Sequence, residues 1–140
     1  MPKCIWCGKE TNELTSVQVN AGMGDKETVK VCSDECGKSI SDYTNYVYGH
    51  IGLFALGLIL PFIAGITLCI ISLSKHNNIF ASIGVLVMLA GIGLTIFIFP
   101  FTTPQTNEKY GAKRAIKIGK ALGIIVILLS ILLFFLVQLK

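Results

Sequence analysis

Three apolar runs constrain this chain more than any other feature: residues 51–73, 79–99 and 121–139 carry no charged side chain, and each is 19 to 23 residues long. A helix rises about 1.5 Å per residue, so about 20 residues cross a hydrocarbon layer about 30 Å thick. A soluble helix of that length needs a polar face, and these runs are apolar all round. With 53% hydrophobic and 14% charged residues in 140, a soluble domain is excluded as the class of the whole chain. The expectation is a mainly α, multi-pass integral membrane protein with three transmembrane helices in lipid. Pro61 removes a backbone donor inside the first run, which predicts a bend near Phe62.

The connections give the spans an order and a direction. Ser74-Lys75-His76-Asn77-Asn78 is short enough to be a tight turn between antiparallel neighbours. The loop at 100–120 opens on two prolines, Pro100 and Pro104, then resumes a helix-compatible pattern carrying Lys109, Lys113, Arg114, Lys117 and Lys120. Five basic residues in this loop against Lys75 in the first place the second loop in the cytoplasm. Three spans then put the N-terminal head on that same side and Lys140 on the opposite one. The role read for the basic loop is ordinary topology and contact with anionic lipid.

Charge separates a head, residues 1–45, from the transmembrane domain, residues 46–140. Residues 1–50 hold five lysines against seven acids, a net of −2, whereas residues 51–140 hold a net of +6. The pI of about 8.8 therefore belongs to the membrane part and is no sign of nucleic-acid binding.

The head carries the chemistry. Cys4-Ile-Trp-Cys7 and Cys32-Ser-Asp-Glu-Cys36 are two short-spaced pairs, and such pairs aim four thiolates at one tetrahedral ion, for which one structural Zn2+ is the leading reading. A disulfide pair, an iron centre and unligated thiols are the rivals; a reducing cytosol counts against the first. Cys69, inside the first span, is read as a small apolar residue. Between the pairs, residues 16–19 and 28–31 alternate like strands around a turn at 20–25, and Ser33 is a suitable N-cap with Asp34 and Glu35 behind it.

This order of knuckle, hairpin and helix resembles a treble-clef zinc finger, and Val31-Cys32-Ser33-Asp34-Glu35-Cys36 is similar to the second half of TRASH or MYM type fingers. The resemblance covers residues 4 to about 43 and implies a small ββα head with Cys4, Cys7, Cys32 and Cys36 as ligands. The compact first pair departs from the usual TRASH pattern, so only the four ligands are carried over. The membrane part resembles, generically, small prokaryotic multi-span proteins with an N-terminal zinc finger.

About 45 extramembrane residues bury too little apolar surface to fold unaided, which is a reason for a metal staple. With all four positions filled by protein, a catalytic metal is not expected, and no nucleophile motif, phosphate loop or intramembrane carboxylate pair suggests an enzyme. Trp6 is read as packing over the knuckle, and Tyr43, Tyr46 and Tyr48 as an interfacial belt on a helix running toward the bilayer, with Gly49 a candidate break before the first span. His50 and His76 are read as polar boundary residues. Gly57, Gly84, Gly91, Gly119 and Gly123 allow close helix approach, within one chain or in a homo-oligomer. The leading expectation is a non-enzymatic membrane protein whose finger is a protein-interaction or assembly module, docked by its acidity on the basic loop. A metal- or redox-responsive regulator and an oligomeric channel or transporter subunit are the alternatives.

Overall fold

A computed structural model describes residues 2–22, 24–75 and 78–139. Two strands, β1 (Thr15–Gly22) and β2 (Asp25–Val31), precede four helices: α1 (Asp34–Lys75), α2 (Asn78–Ile98), α3 (Pro104–Tyr110) and α4 (Ala112–Gln138). The protein is thus mainly helical with one small antiparallel sheet. Contacts divide it into two compact units, Met1–Ile51 with Phe101–Gly119, and Gly52–Pro100 with Lys120–Lys140.

In the first unit, alternation along the strands turns Val19, Val29 and Val31 into the core, where they meet Cys4, Ile40 and Ala112. Val17 pairs with Val29 and Thr15 with Val31. The strands run further than their apolar residues: β1 continues past a bulge after Asn20, whose side-chain oxygen accepts from the Gly22 N–H at 2.9 Å. The hairpin connection is therefore shorter than the turn expected at 20–25. At Gly22 (φ 89°) a Cβ would fall 2.6 Å from the Tyr48 ring, so glycine lets the hairpin lie against α1. Ser33 caps α1 as expected, its hydroxyl accepting from the Cys36 N–H at 3.3 Å.

Helix α1 does not end at Gly49. An interior glycine costs a helix only about 1 kcal/mol, and the chain on both sides is helix-compatible. His50 Nδ1–H donates to the Tyr46 carbonyl at 2.9 Å one turn back. Pro61 lies inside this continuous helix, and its ring fills the space left by Gly91. The tyrosines have specific contacts: Tyr48 covers Gly22, Tyr46 stacks on His50 and meets the edge of Phe101, and Tyr43 lies beside Trp6.

The second unit contains the apolar segments. Helices α1, α2 and α4 are each long and apolar enough to cross a membrane. Exposed leucines such as Leu56, Leu128 and Leu132 cover them, the surface expected of helices solvated by lipid. Glycine contacts join the helices. A Cβ on Gly65 would lie 2.7 Å from the Gly84 carbonyl oxygen, and one on Gly84 equally close to that of Gly65. Gly93 and Gly123 face each other in the same way, and the Thr95 hydroxyl donates to the Gly57 carbonyl at 2.7 Å. Gly57, Gly84, Gly91 and Gly123 are therefore engaged within the chain. His76, Asn77 and Lys140 lie outside the described residues.

A Cβ on Gly91 would meet the Pro61 Cβ at 2.3 Å, whereas one on Gly52 meets nothing within 4 Å. Gly91→Val should destabilise the detergent-solubilised protein by roughly 1–3 kcal/mol. Gly52→Ala should stay within about 0.5 kcal/mol of the parent or stabilise it. Thermal unfolding of both variants checks this.

Candidate metal centre

The first pair of cysteines sits in a tight backbone loop. The Cys4 N–H donates to the Lys9 carbonyl at 3.0 Å and the Gly8 N–H to the Cys4 carbonyl at 2.8 Å. Gly8, at φ 76°, supplies the left-handed turn that closes the loop. The Ile5 N–H donates to the Lys30 carbonyl at 3.0 Å, which holds the loop beside β2. Cys32 follows β2 directly, and Cys36 stands in the first turn of α1.

These elements bring together the four cysteines singled out by spacing. The sulfurs of Cys4, Cys7, Cys32 and Cys36 all lie within 4.8 Å of one another and could hold a metal ion. Cys7 Sγ and Cys36 Sγ are each 3.6 Å from Cys32 Sγ. Four thiolates about 2.3 Å from a tetrahedral ion stand about 3.8 Å apart, so the spacing suits such an ion, while all four are free rather than disulfide-bonded. Cys4 is buried and the other three half-buried. Cys69 is in the second unit, and His50 is occupied by α1.

The electrostatics favour one thiolate and resist more. Burial pushes the Cys4 thiol up, but the backbone N–H groups of Cys7, Cys32 and Trp6, with the Cys7 thiol, bring it down to about 7. The other three are raised: Cys7 and Cys36 first by burial and then by the neighbouring cysteines, Cys32 first by its contact with Cys4. A divalent cation removes this mutual opposition, because each thiolate then faces positive charge.

The loop at 101–119 closes over the knuckle. An α-helix begins with four N–H groups that have no partner in its own ladder. At α4, Gly111 donates to Asn107, Ala112 to the Ile5 carbonyl at 2.8 Å, Lys113 to the Trp6 carbonyl at 2.9 Å, and Arg114 to Gly111. Two of the four are thus satisfied by the residues between Cys4 and Cys7. The approach is close enough to require glycine on both sides. A Cβ on Gly111 (φ 81°) would lie 2.5 Å from the Gly8 nitrogen, and one on Gly8 would lie 2.6 Å from the Tyr110 carbonyl oxygen.

A second tie lies beside it. The Tyr43 hydroxyl accepts from the Thr102 N–H and donates to the Thr102 hydroxyl, both at 3.0 Å; that hydroxyl in turn donates to buried Asn107 Oδ1 at 2.7 Å. The docking differs from the acid-on-base contact expected from net charge. Among the described residues no ion pair joins head to loop, and Lys3 pairs with Glu10 inside the head at 3.2 Å. Backbone groups can approach to hydrogen-bond distance without desolvating a charge, so they make the contact. Gly8, Gly111, Ala112 and the Tyr43–Thr102–Asn107 chain were not evident as site residues. The available signals were a glycine straight after the first cysteine pair and another interrupting the basic helix.

Comparison of the chain with protein-family models, with curated proteins and with solved structures found no match.

Gly111→Ala combines a disfavoured φ with a backbone clash, so it should cost the first unit about 1–3 kcal/mol. Trp6 is the sole tryptophan and lies at this contact, making its fluorescence a local readout. Gly111→Ala should shift the Trp6 unfolding transition downward, while Gly24→Ala, at φ 90° but with nothing within 4 Å, carries the backbone strain alone and should shift it less.

Proposed function

We propose that the four-cysteine cluster is a structural zinc site in a cytosolic treble-clef head, and that the head is an assembly module of a non-enzymatic, multi-pass membrane protein. Zinc has no geometric preference of its own and accepts four thiolates in a closed shell, leaving no position for a reacting water. The order of knuckle, antiparallel hairpin and helix, with two sulfurs from each end, supports the treble-clef reading.

The observation that carries the assembly role is the capping of α4 by the carbonyls of Ile5 and Trp6, which stand between Cys4 and Cys7. An ion that fixes those two cysteines fixes the carbonyls between them, and through them the start of the third apolar helix. The head's first client is therefore the loop of its own chain. Its remaining surface is available to a protein partner, with nucleic acid disfavoured because four thiolates around Zn2+ add a net −2 to an already acidic head. Residues 1–51 and 101–119 share one unit, which supports placing them on one side of the membrane. The lysines and Arg114 of the loop make that side the cytoplasm, with the C-terminus opposite.

Detergent-purified protein should contain one zinc per chain by elemental analysis. Cys4→Ser should lose most of it, shift Trp6 emission and reduce co-purification of membrane partners, whereas Cys69→Ser should change none of these. Full co-purification of partners with metal-free Cys4→Ser would sink the assembly role.

A second reading, a metal- or redox-responsive regulator, draws on the partial exposure of Cys7, Cys32 and Cys36. Zinc exchange separates the two: a structural site should retain its ion against a chelator that strips a sensor within minutes. Oxidation by mild peroxide should spare the zinc-loaded thiols if the site is structural.

A further inference from the structure

The clamp on α4 uses one side of the helix and leaves another bare. Gly111, Ala112 and Ala115 are buried, while Lys113, Arg114 and Lys117 are exposed. At about 100° per residue these three basic positions fall within an arc of about 100°, facing away from the small residues that meet the knuckle. None has an acidic partner among the described residues, and Lys109, on α3, lies over the Tyr110 ring at 5.3 Å. In sequence the same spacing continues at Lys120, and the charge-free run starts at the next residue. Residues 39–74 contain no lysine or arginine, so α1 supplies no comparable basic face where its own apolar run begins.

We propose that the face formed by Lys113, Arg114 and Lys117 is a docking surface for anionic phospholipid headgroups, held toward them by the contact of Gly111 and Ala112 with the Cys4–Cys7 knuckle. The occupant follows from charge and position. A helix that turns wholly apolar one to about two turns beyond these residues places them at the headgroup level, where the complementary groups are phosphodiesters of the bilayer it enters. Arginine offers a bidentate fork to a phosphate and the two lysines offer point charges. The surface rests on the membrane reading of α4 and is independent of which metal the cysteines hold.

The test uses the full-length protein in a neutral detergent, with phosphatidylglycerol, phosphatidylcholine or inorganic phosphate added and retention read by native mass spectrometry and thermal shift. Phosphatidylglycerol should be retained and should raise the melting temperature, an effect that fades with salt. Lys113→Gln/Arg114→Gln/Lys117→Gln should weaken its retention by on the order of a hundredfold. The variant should keep its metal content and its melting temperature in phosphatidylcholine. Removing an equal charge from the head, by Lys26→Gln/Lys30→Gln/Lys38→Gln, should leave retention within about twofold. Equal retention by the α4 variant and the parent would overturn the proposal, as would equal stabilisation by phosphatidylcholine or by inorganic phosphate. Should the triple α4 variant lose its metal, the single variant Lys117→Gln, outside the clamp, reads the face alone: retention should fall about fivefold, and unchanged retention would overturn the proposal.

Discussion

Helix α4 starts with N–H groups that its own ladder cannot satisfy, and where they go organises the first unit. Two end on the carbonyls of Ile5 and Trp6. Net contributions of about 0.5–1.5 kcal/mol for such a bond are modest, but a buried donor left without a partner costs about 1–3 kcal/mol, so the asymmetry holds the loop in place. Gly8 and Gly111 make the approach possible, and Ala112 completes a core otherwise built from Cys4, three valines and Ile40. The knuckle that presents the sulfurs is the same stretch of backbone that caps the helix. Two of the four clustered sulfurs and two caps of the helix therefore come from one four-residue segment, Cys4 to Cys7.

The two units use different physics for the same purpose of bringing elements close. In the first, hydrogen bonds and a small apolar core do it, and a metal held by the four-cysteine cluster would compensate for how little surface so short a segment buries. In the second, whose helices are long and apolar enough to cross a membrane, where lipid would provide no hydrophobic drive between them, Gly65 against Gly84 and Gly93 against Gly123 let carbonyls pack at contact distance. Glycine appears in both settings, for backbone conformation at Gly111 and for the missing side chain at Gly84.

Much of this was legible in the sequence because the signals are local. A 20-residue apolar run, a pair of cysteines three or four residues apart, and valines alternating along a strand each declare themselves within a short window, and the helices, the cluster and the hairpin follow them. The clamp between residues 5–8 and 110–113 left no such mark, since it is made by backbone atoms and by side chains too small to carry a pattern. Net charge pointed to head and loop as neighbours but to the wrong contact, because lysines gain more from staying in water than from ordering against exposed carboxylates. Tyr43 looked like a membrane-interface ring, yet its hydroxyl bonds Thr102. A hydroxyl's partner 59 residues away is decided by tertiary placement and not by the neighbours of the tyrosine.

On the reading proposed above, a metal in the cysteine cluster holds the start of α4 through the knuckle carbonyls. Amide hydrogen exchange of the stretch 101–119, measured in the detergent-solubilised protein before and after chelation, tests it most directly. Ala112 and Lys113 should be protected in the metal-loaded protein and lose that protection when the metal is removed, while the glycine-packed core of the second unit stays protected. Unchanged protection of those two amides after complete metal removal would contradict it.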